Sequence, residues 1–182
     1  MLTVARISPR KGQDTLIKAT SFLPKKVKII LKGGITDKDY LDTLRGLVKE
    51  LGLEDRVTII TTSVDYDALV ELYNSATMFV FPTRDDCLGV VVLEALHCGL
   101  PVVASSVGGI PDMIEDGVNG MLVEVDDPRD LANKINLLLD DNQLRTKLSQ
   151  NSISVLNDRY YSGRITLQEA LIQSIEAQKI SK

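Results

Sequence analysis

The sequence predicts an α/β domain built on a doubly wound, Rossmann-like parallel sheet of about six strands with a helical C-terminus. Three observations predict it. Short runs such as VKIIL, MFVF and PVVA are apolar throughout, which is how strands buried on both faces read. These runs alternate with stretches of helical period, and a β-α-β-α order joins parallel strands by crossover helices. Gly, Pro, Asn and Asp cluster between the two kinds of segment, as turn chemistry requires.

Taken in order, residues 2–4 form a short first strand, followed by the loop RISPRKGQ and a helix over 14–21. The strand at 27–31 stops at Gly33 and Gly34. Over 39–51, Tyr40, Leu41, Leu44, Leu47, Val48 and Leu51 recur at helical spacing. A strand at 57–60 and a helix at 66–74 follow, then a strand at 78–81 halted by Pro82. Residues 89–97 read as a helix and 101–104 as another buried strand. Gly108, Gly109 and Pro111 mark a turn and a short helix start. The pairs Asp116-Gly117 and Asn119-Gly120 are turns before a last strand at 121–123. Only helical patterns come after, at 128–140, 142–156 and about 165–178. In such folds ligands sit outside the carboxyl ends of the strands. The loops after Val4, Leu31, Ile60, Phe81 and Ala104 therefore share one rim.

Bulk properties exclude several classes. A length of 182 residues suits one well-filled core, and no linker or repeat divides residues 1–182, which read as a single domain. At 44% hydrophobic and 25% charged residues, the composition is that of a globular domain. There is no apolar run long enough for a membrane span and no basic-then-apolar leader. The net charge of −4 opposes a general nucleic-acid binder, which needs a basic field. Two cysteines, Cys87 and Cys98, make no disulfide framework, so a reducing cytoplasm is expected. With His97 alone and no CxxC, no metal centre is expected. Met1 stands almost on the first strand, so the chain is expected to be a piece of something longer or to begin with a shortened element.

Residues 86–105, DCLGVVVLEALHCGLPVVAS, carry the strongest chemical signal: a phosphate site at a helix N-terminus. The first amides of that helix lack internal partners and carry partial positive charge. A phosphate binds there without any side chain, and Gly89 removes a Cβ that would crowd it. Glu94 lies within VVVLEAL, where an acid is expected only if paired or working. It suits two neighbouring sugar hydroxyls, as acidic residues suit ribose. Asp86 either contacts another sugar ring or caps the helix. On the first loop, Arg6 and Lys11 match the charge of a diphosphate, with Gly12 allowing close backbone approach; ordinary surface charge is the other reading. His97 and Cys98 end a helix before Gly99, and no sequence neighbour orients the imidazole. Neither is taken as catalytic.

These segments, in this order, resemble the C-terminal domain of the family 4 glycosyltransferases, a retaining group of two-domain GT-B architecture. VARISPRKGQDTLIKA is similar to the opening strand, basic loop and helix of that family. Residues 86–94 followed by ALHCGLPVVAS resemble its E-x7-E region, VGGIPDMIEDGVNGMLV the turn-rich stretch after it, and DDPRDLANKINLLLDD its late helix. The resemblance implies that Arg6 and Lys11 bind the diphosphate of a nucleotide-sugar and stabilise it as a leaving group. It implies that Asp86 contacts the transferred sugar and that Glu94 holds the ribose. The backbone of Leu88, Gly89, Val90 and Val91 would cradle phosphate. The loop at 61–64, with Thr61, Thr62 and Val64, would lie near the nucleobase. The donor would be a UDP-, GDP- or ADP-sugar, with no cofactor and no essential metal, since cations and helix dipole neutralise the phosphates.

Two positions depart from the family pattern. Asp86 is one methylene shorter than the expected glutamate, and Leu88-Gly89 stands where an aromatic residue and glycine are usual. The resemblance also implies an absent N-terminal acceptor domain, supplied in cis or as a separate subunit. Any peripheral membrane contact would run through that domain, and the chain alone would be inactive. A non-catalytic nucleotide- or phosphosugar-binding module is the alternative from another class.

Overall fold

A computed structural model describes residues 1–160 and contains a single six-stranded sheet. The strands are β1 (Leu2–Val4), β2 (Ile29–Lys32), β3 (Val57–Ile60), β4 (Phe79–Phe81), β5 (Val102–Ser105) and β6 (Gly120–Val123). Their order across the sheet is β3-β2-β1-β4-β5-β6, and every neighbouring pair is parallel. The direction of winding reverses between β1 and β4. The helices that follow these two strands, one on each face of the sheet, make this the switch point, and the crevice there is the usual ligand position in an open α/β sheet.

Seven helices cover the sheet among the described residues: α1 (Gln13–Thr20), α2 (Lys38–Glu50), α3 (Tyr66–Ser75), α4 (Val90–His97), α5 (Ile110–Met113), α6 (Pro128–Asp140) and α7 (Asn142–Tyr160). Alternation along each strand divides the apolar side chains between two cores. Ile29, Leu31, Val80 and Val103 face one core with Leu16, Leu44 and Ile135 of α1, α2 and α6. Leu2, Phe79, Phe81 and Val102 face the other with Tyr73, Val92, Leu96 and Ile110 of α3, α4 and α5. Helix α2 buries Tyr40, Leu41, Leu44 and Val48 and leaves Asp39, Asp42 and Lys49 in solvent. Aspartate side chains cap the starts of several helices. Asp37 caps α2 through the Tyr40 amide, Asp65 caps α3 through Ala68, Asp127 caps α6 through Arg129 and Asp130, and Asp141 caps α7 through Leu144, each satisfying donors the helix leaves open.

All six predicted strands and the helices through α6 are present. Strand β2 begins two residues late, because the Val27 amide is turned back onto the Pro24 carbonyl at 2.9 Å. It also runs on to Lys32, which pairs with Val4 and Ile60. Helix α7 continues past 156 to Tyr160, there being no Gly or Pro to stop it. The helix expected at 165–178 lies outside the described residues. No helix among the described residues is long and apolar enough to cross a membrane.

Candidate functional site

The β1–α1 loop and the β4–α4 loop form the walls of the crevice. The first contains a 3₁₀ turn, Pro9–Lys11, with proline at its start. Gly12 ends the turn at φ 63° and is the N-cap of α1. A Cβ on Gly12 would lie 1.9 Å from the Pro82 carbonyl oxygen, so glycine allows the two loops to touch. The expected close backbone approach is thus real, but it is to the facing loop. Gly12→Ala is expected to cost at least about 2 kcal/mol, combining left-handed strain with the separated loops. The melting temperature of a chain this size should then fall by about 5 °C or more. Thermal circular dichroism checks this; an unchanged melting point would mean the contact is dispensable.

Further bonds join the same walls. Thr83 Oγ1 and the Arg84 amide donate to the Arg10 carbonyl at 3.0 and 2.8 Å, and Arg10 pairs with Asp85. Arg84 makes a bidentate contact with Asp14, 2.9 Å on both sides, and its Nε reaches Asp126 at 2.7 Å. Tyr40 donates its hydroxyl to Asp14 Oδ1 at 2.6 Å. Burial alone would raise the Asp14 carboxyl, but hydrogen bonds from Arg84 and Tyr40 reverse this and hold it well below the usual carboxylate range.

Lys11 and Asp86 meet across the crevice at 2.6 Å, their side chains only 15% and 19% exposed. The Asp86 carboxylate does more than pair. Its Oδ1 accepts from the amides of Leu88 at 3.2 Å and Gly89 at 2.7 Å. Burial pushes this carboxyl up; the bonds from Lys11 and Gly89 outweigh it, and its pKa lies below the ordinary value. Two of the four amides expected to cradle phosphate are therefore occupied by the protein's own anion. The amides of Val90 and Val91 have no protein acceptor among the described residues and form the open end of the α4 dipole. Gly89 stands at φ 62° with its missing Cβ facing Met113 Cε at 2.9 Å and Ile110 Cγ1 at 3.2 Å. Packing against α5 and the left-handed turn, as much as any phosphate, call for glycine there.

Glu94 lies at the middle of α4 and accepts the buried Tyr73 hydroxyl on Oε2 at 2.7 Å. That bond accounts for an acid in an apolar run. It leaves Oε1 without a protein donor among the described residues. Burial, then the Glu94 charge, pushes the Tyr73 phenol well above its ordinary value. Arg6 is exposed and makes no ion pair among the described residues. Thr61, Thr62 and Val64 do not join the crevice cluster. They line a separate depression of about 340 Å³ with Val4, Lys32, Gly33, Gly34 and Leu69. Leu88 and Val90 expose 60% and 50% of their surface beside the α4 start. His97 closes α4 with Nδ1 against the Leu93 carbonyl at 2.8 Å. Among the described residues, no three His, Cys, Asp or Glu side chains converge in a way that would hold a metal ion.

Lys32, Tyr73 and Arg84 were missed by reasoning from sequence. Tyr73 looks like one more apolar position of an amphipathic helix, and Arg84 like a surface charge in a polar turn. Lys32 left a faint signal, a cation at the end of the otherwise apolar KIIL run.

Residues 1–155 match the family described as Glycosyl transferases group 1. The chain belongs to this family. Among relatives of this group 1 domain, a D-inositol 3-phosphate glycosyltransferase of Mycolicibacterium smegmatis is 40% identical over 139 residues, 75% of this chain and 32% of that protein. One of the same description from Corynebacterium glutamicum is 31% identical over 156 residues, covering 82% and 37%. The chain thus spans about a third of the length of these curated relatives. Among solved structures, Anabaena Alr3699/HepE in complex with UDP superposes with a TM-score of 0.82 at 30% identity, covering 99% of this chain and 48% of that one. The C-terminal domain of a group 1 family protein, LpcC of Francisella tularensis, gives 0.79 at 28% identity, covering 87% and 85%. The group 1 domain therefore has the Rossmann-like fold of GT-B glycosyltransferases.

Proposed function

We propose that the chain is the donor-binding, C-terminal domain of a family 4 retaining glycosyltransferase. Such an enzyme moves a hexose from a nucleoside diphosphate to an acceptor hydroxyl. The observation that carries this reading is that Asp86 holds Lys11 at the start of α4, where the Val90 and Val91 amides stay open, at the reversal of strand order. The likeness to HepE, solved with UDP and with UDP-glucose, and to a separately solved C-terminal domain supports it.

In the transfer, the bond between the anomeric carbon and the diphosphate oxygen breaks. Its electron pair leaves with the diphosphate. A bond to the acceptor oxygen forms on the same face of the sugar, and the hydroxyl proton passes to the departing diphosphate oxygen. Lys11, Arg6 and the α4 dipole carry the developing charge, so no metal is required. Free Glu94 Oε1 takes the ribose hydroxyls. Asp86 releases Lys11 to the diphosphate and turns to the sugar. Exposed Leu88 and Val90 border the cleft toward the acceptor domain, present in cis or as a separate subunit. Without it this chain binds donor and transfers nothing. Free Cys87 and Cys98 suit a reducing cytoplasm.

Calorimetric titration of this chain with UDP, GDP and ADP tests the reading. At least one should bind at millimolar concentration or tighter, unchanged by EDTA; binding of none would sink it. A second measurement concerns Asp86, which competes with a ligand for Lys11 and for two amides. Asp86→Asn retains the cap but loses the charge, so affinity for inorganic pyrophosphate is expected to rise several-fold. Weaker pyrophosphate binding would show that Asp86 helps to build the anion site. One observation favours a non-catalytic module, namely that Asp86 is already fully engaged. Fusion to a matching acceptor domain separates the two readings by the presence or absence of transfer.

A further inference from the structure

We propose that Lys32 is a specificity-determining residue that reads a carbonyl oxygen of the nucleobase and so selects uracil or guanine over adenine. The proposal rests on the donor-site reading above. Lys32 ends β2 and is 7% exposed. Its ammonium donates one bond, to the Thr62 carbonyl at 2.9 Å. No carboxylate pairs with it among the described residues. The single bond is to a neutral carbonyl, and the ammonium keeps donor capacity for further acceptors. An apolar side chain could end β2 as Leu31 continues it, so strand packing alone does not call for lysine here.

The surroundings supply an account. Lys32 lines the depression formed by Val4, Gly33, Gly34, Leu69 and the loop at 61–64. Two of its three N–H bonds have no acceptor among the described residues. The depression lies at the ends of β1, β2 and β3, on the same rim as the crevice between β1 and β4. It is displaced from that crevice by one to two strand spacings, about 5–10 Å. A nucleoside diphosphate held by Lys11 and the α4 amides reaches this far with its base. Lysine only donates. It complements O2 and O4 of uracil or O6 of guanine, and it opposes the exocyclic amino group that adenine presents at the corresponding edge. The selectivity arises because a base that presents an amino group there offers the remaining Lys32 donors no acceptor.

Calorimetry with UDP, GDP, ADP and inorganic pyrophosphate, on the wild-type chain and Lys32→Met, tests this. The wild type should bind UDP or GDP at least tenfold more tightly than ADP. Lys32→Met should erase that ratio while leaving ADP and pyrophosphate within about twofold. An unchanged ratio overturns the proposal, and so does an equal loss on all four ligands, which would make Lys32 a purely structural residue. Thermal melts accompany each titration. Should Lys32→Met fail to fold, Lys32→Arg replaces it: a changed base ratio at constant pyrophosphate affinity supports the assignment, and an unchanged ratio overturns it. If the wild type binds no nucleotide, the donor-site reading falls and this one with it. If it binds them and the variant shows no base effect, this proposal alone falls.

Discussion

Lys11→Ala is expected to weaken the binding of a nucleoside diphosphate roughly 10- to 100-fold, the loss of one charge-assisted hydrogen bond of about 1.5–3 kcal/mol. Among the described residues, Lys11 is the cation fixed at the α4 N-terminus, 2.6 Å from Asp86, whereas Arg6 is exposed. The variant also strips Asp86 of its counter-charge, leaving only the amides of Leu88 and Gly89 on the carboxylate. A pH signature follows. The Asp86 pKa is depressed in the folded state, so its contribution to stability is complete above the unfolded value near 3.9. That contribution is lost as pH falls through the lower, folded value. Removing Lys11 raises the folded value, so acid unfolding of Lys11→Ala should begin at higher pH than in the wild type. Titration calorimetry and an acid unfolding curve read the two effects. Unaltered diphosphate affinity would remove Lys11 from the site.

Arg84→Met is expected to destabilise the domain by about 2–4 kcal/mol, with a fall in melting temperature of roughly 5–15 °C. The range lies below that of a fully buried ion pair because the Arg84 side chain is 28% exposed. Asp14, at 13%, would keep its charge in a confined place with Tyr40 and Lys18 as the remaining donors. Asp14 too has a depressed folded pKa, and hydrogen bonding to Arg84 lowers that of Asp126. Their stabilisation is present above the unfolded carboxylate range and lost as pH falls through the folded values. The variant should therefore lose most stability near neutral pH and least in acid. A double-mutant cycle with Asp14→Asn isolates the pair. A melting point within about 2 °C of wild type would show the contact to be ornamental.

The fold was legible because buried parallel strands leave an unambiguous mark. PVVA and MFVF contain no polar residue, and Pro and Gly punctuate them at the right places. Within the candidate site, Lys11, Asp86, Gly89 and Glu94 stand out in the sequence because each occupies a position where local physics is restrictive: a loop before a helix, a cap, a left-handed turn, an acid among valines. What they touch was not legible. Asp86 could cap α4 or face a sugar, and only three-dimensional placement shows it holding Lys11 and two amides together. The Tyr73–Glu94 bond joins two helices and the Arg84 cluster three segments, separated in sequence by 21 to 70 residues. Periodicity reports which face of an element is buried and says nothing of such pairings.

The reversal between β1 and β4 also has a mechanical consequence. Residues 2–60 supply one half-sheet and residues 79–123 the other, and the ladder between them registers at one pair, Leu2 with Phe79. Backbone pairing along this seam is sparse compared with the three-pair ladders on either side of it. Much of the stitching comes from side chains that cross it: Thr3 to the Val80 carbonyl, Arg84 to Asp14, Lys11 to Asp86. A diphosphate seated in the crevice would replace the last of these stitches with its own bonds to both sides. A diphosphate bound there would thus act as a rivet between two halves that the sheet itself joins only lightly.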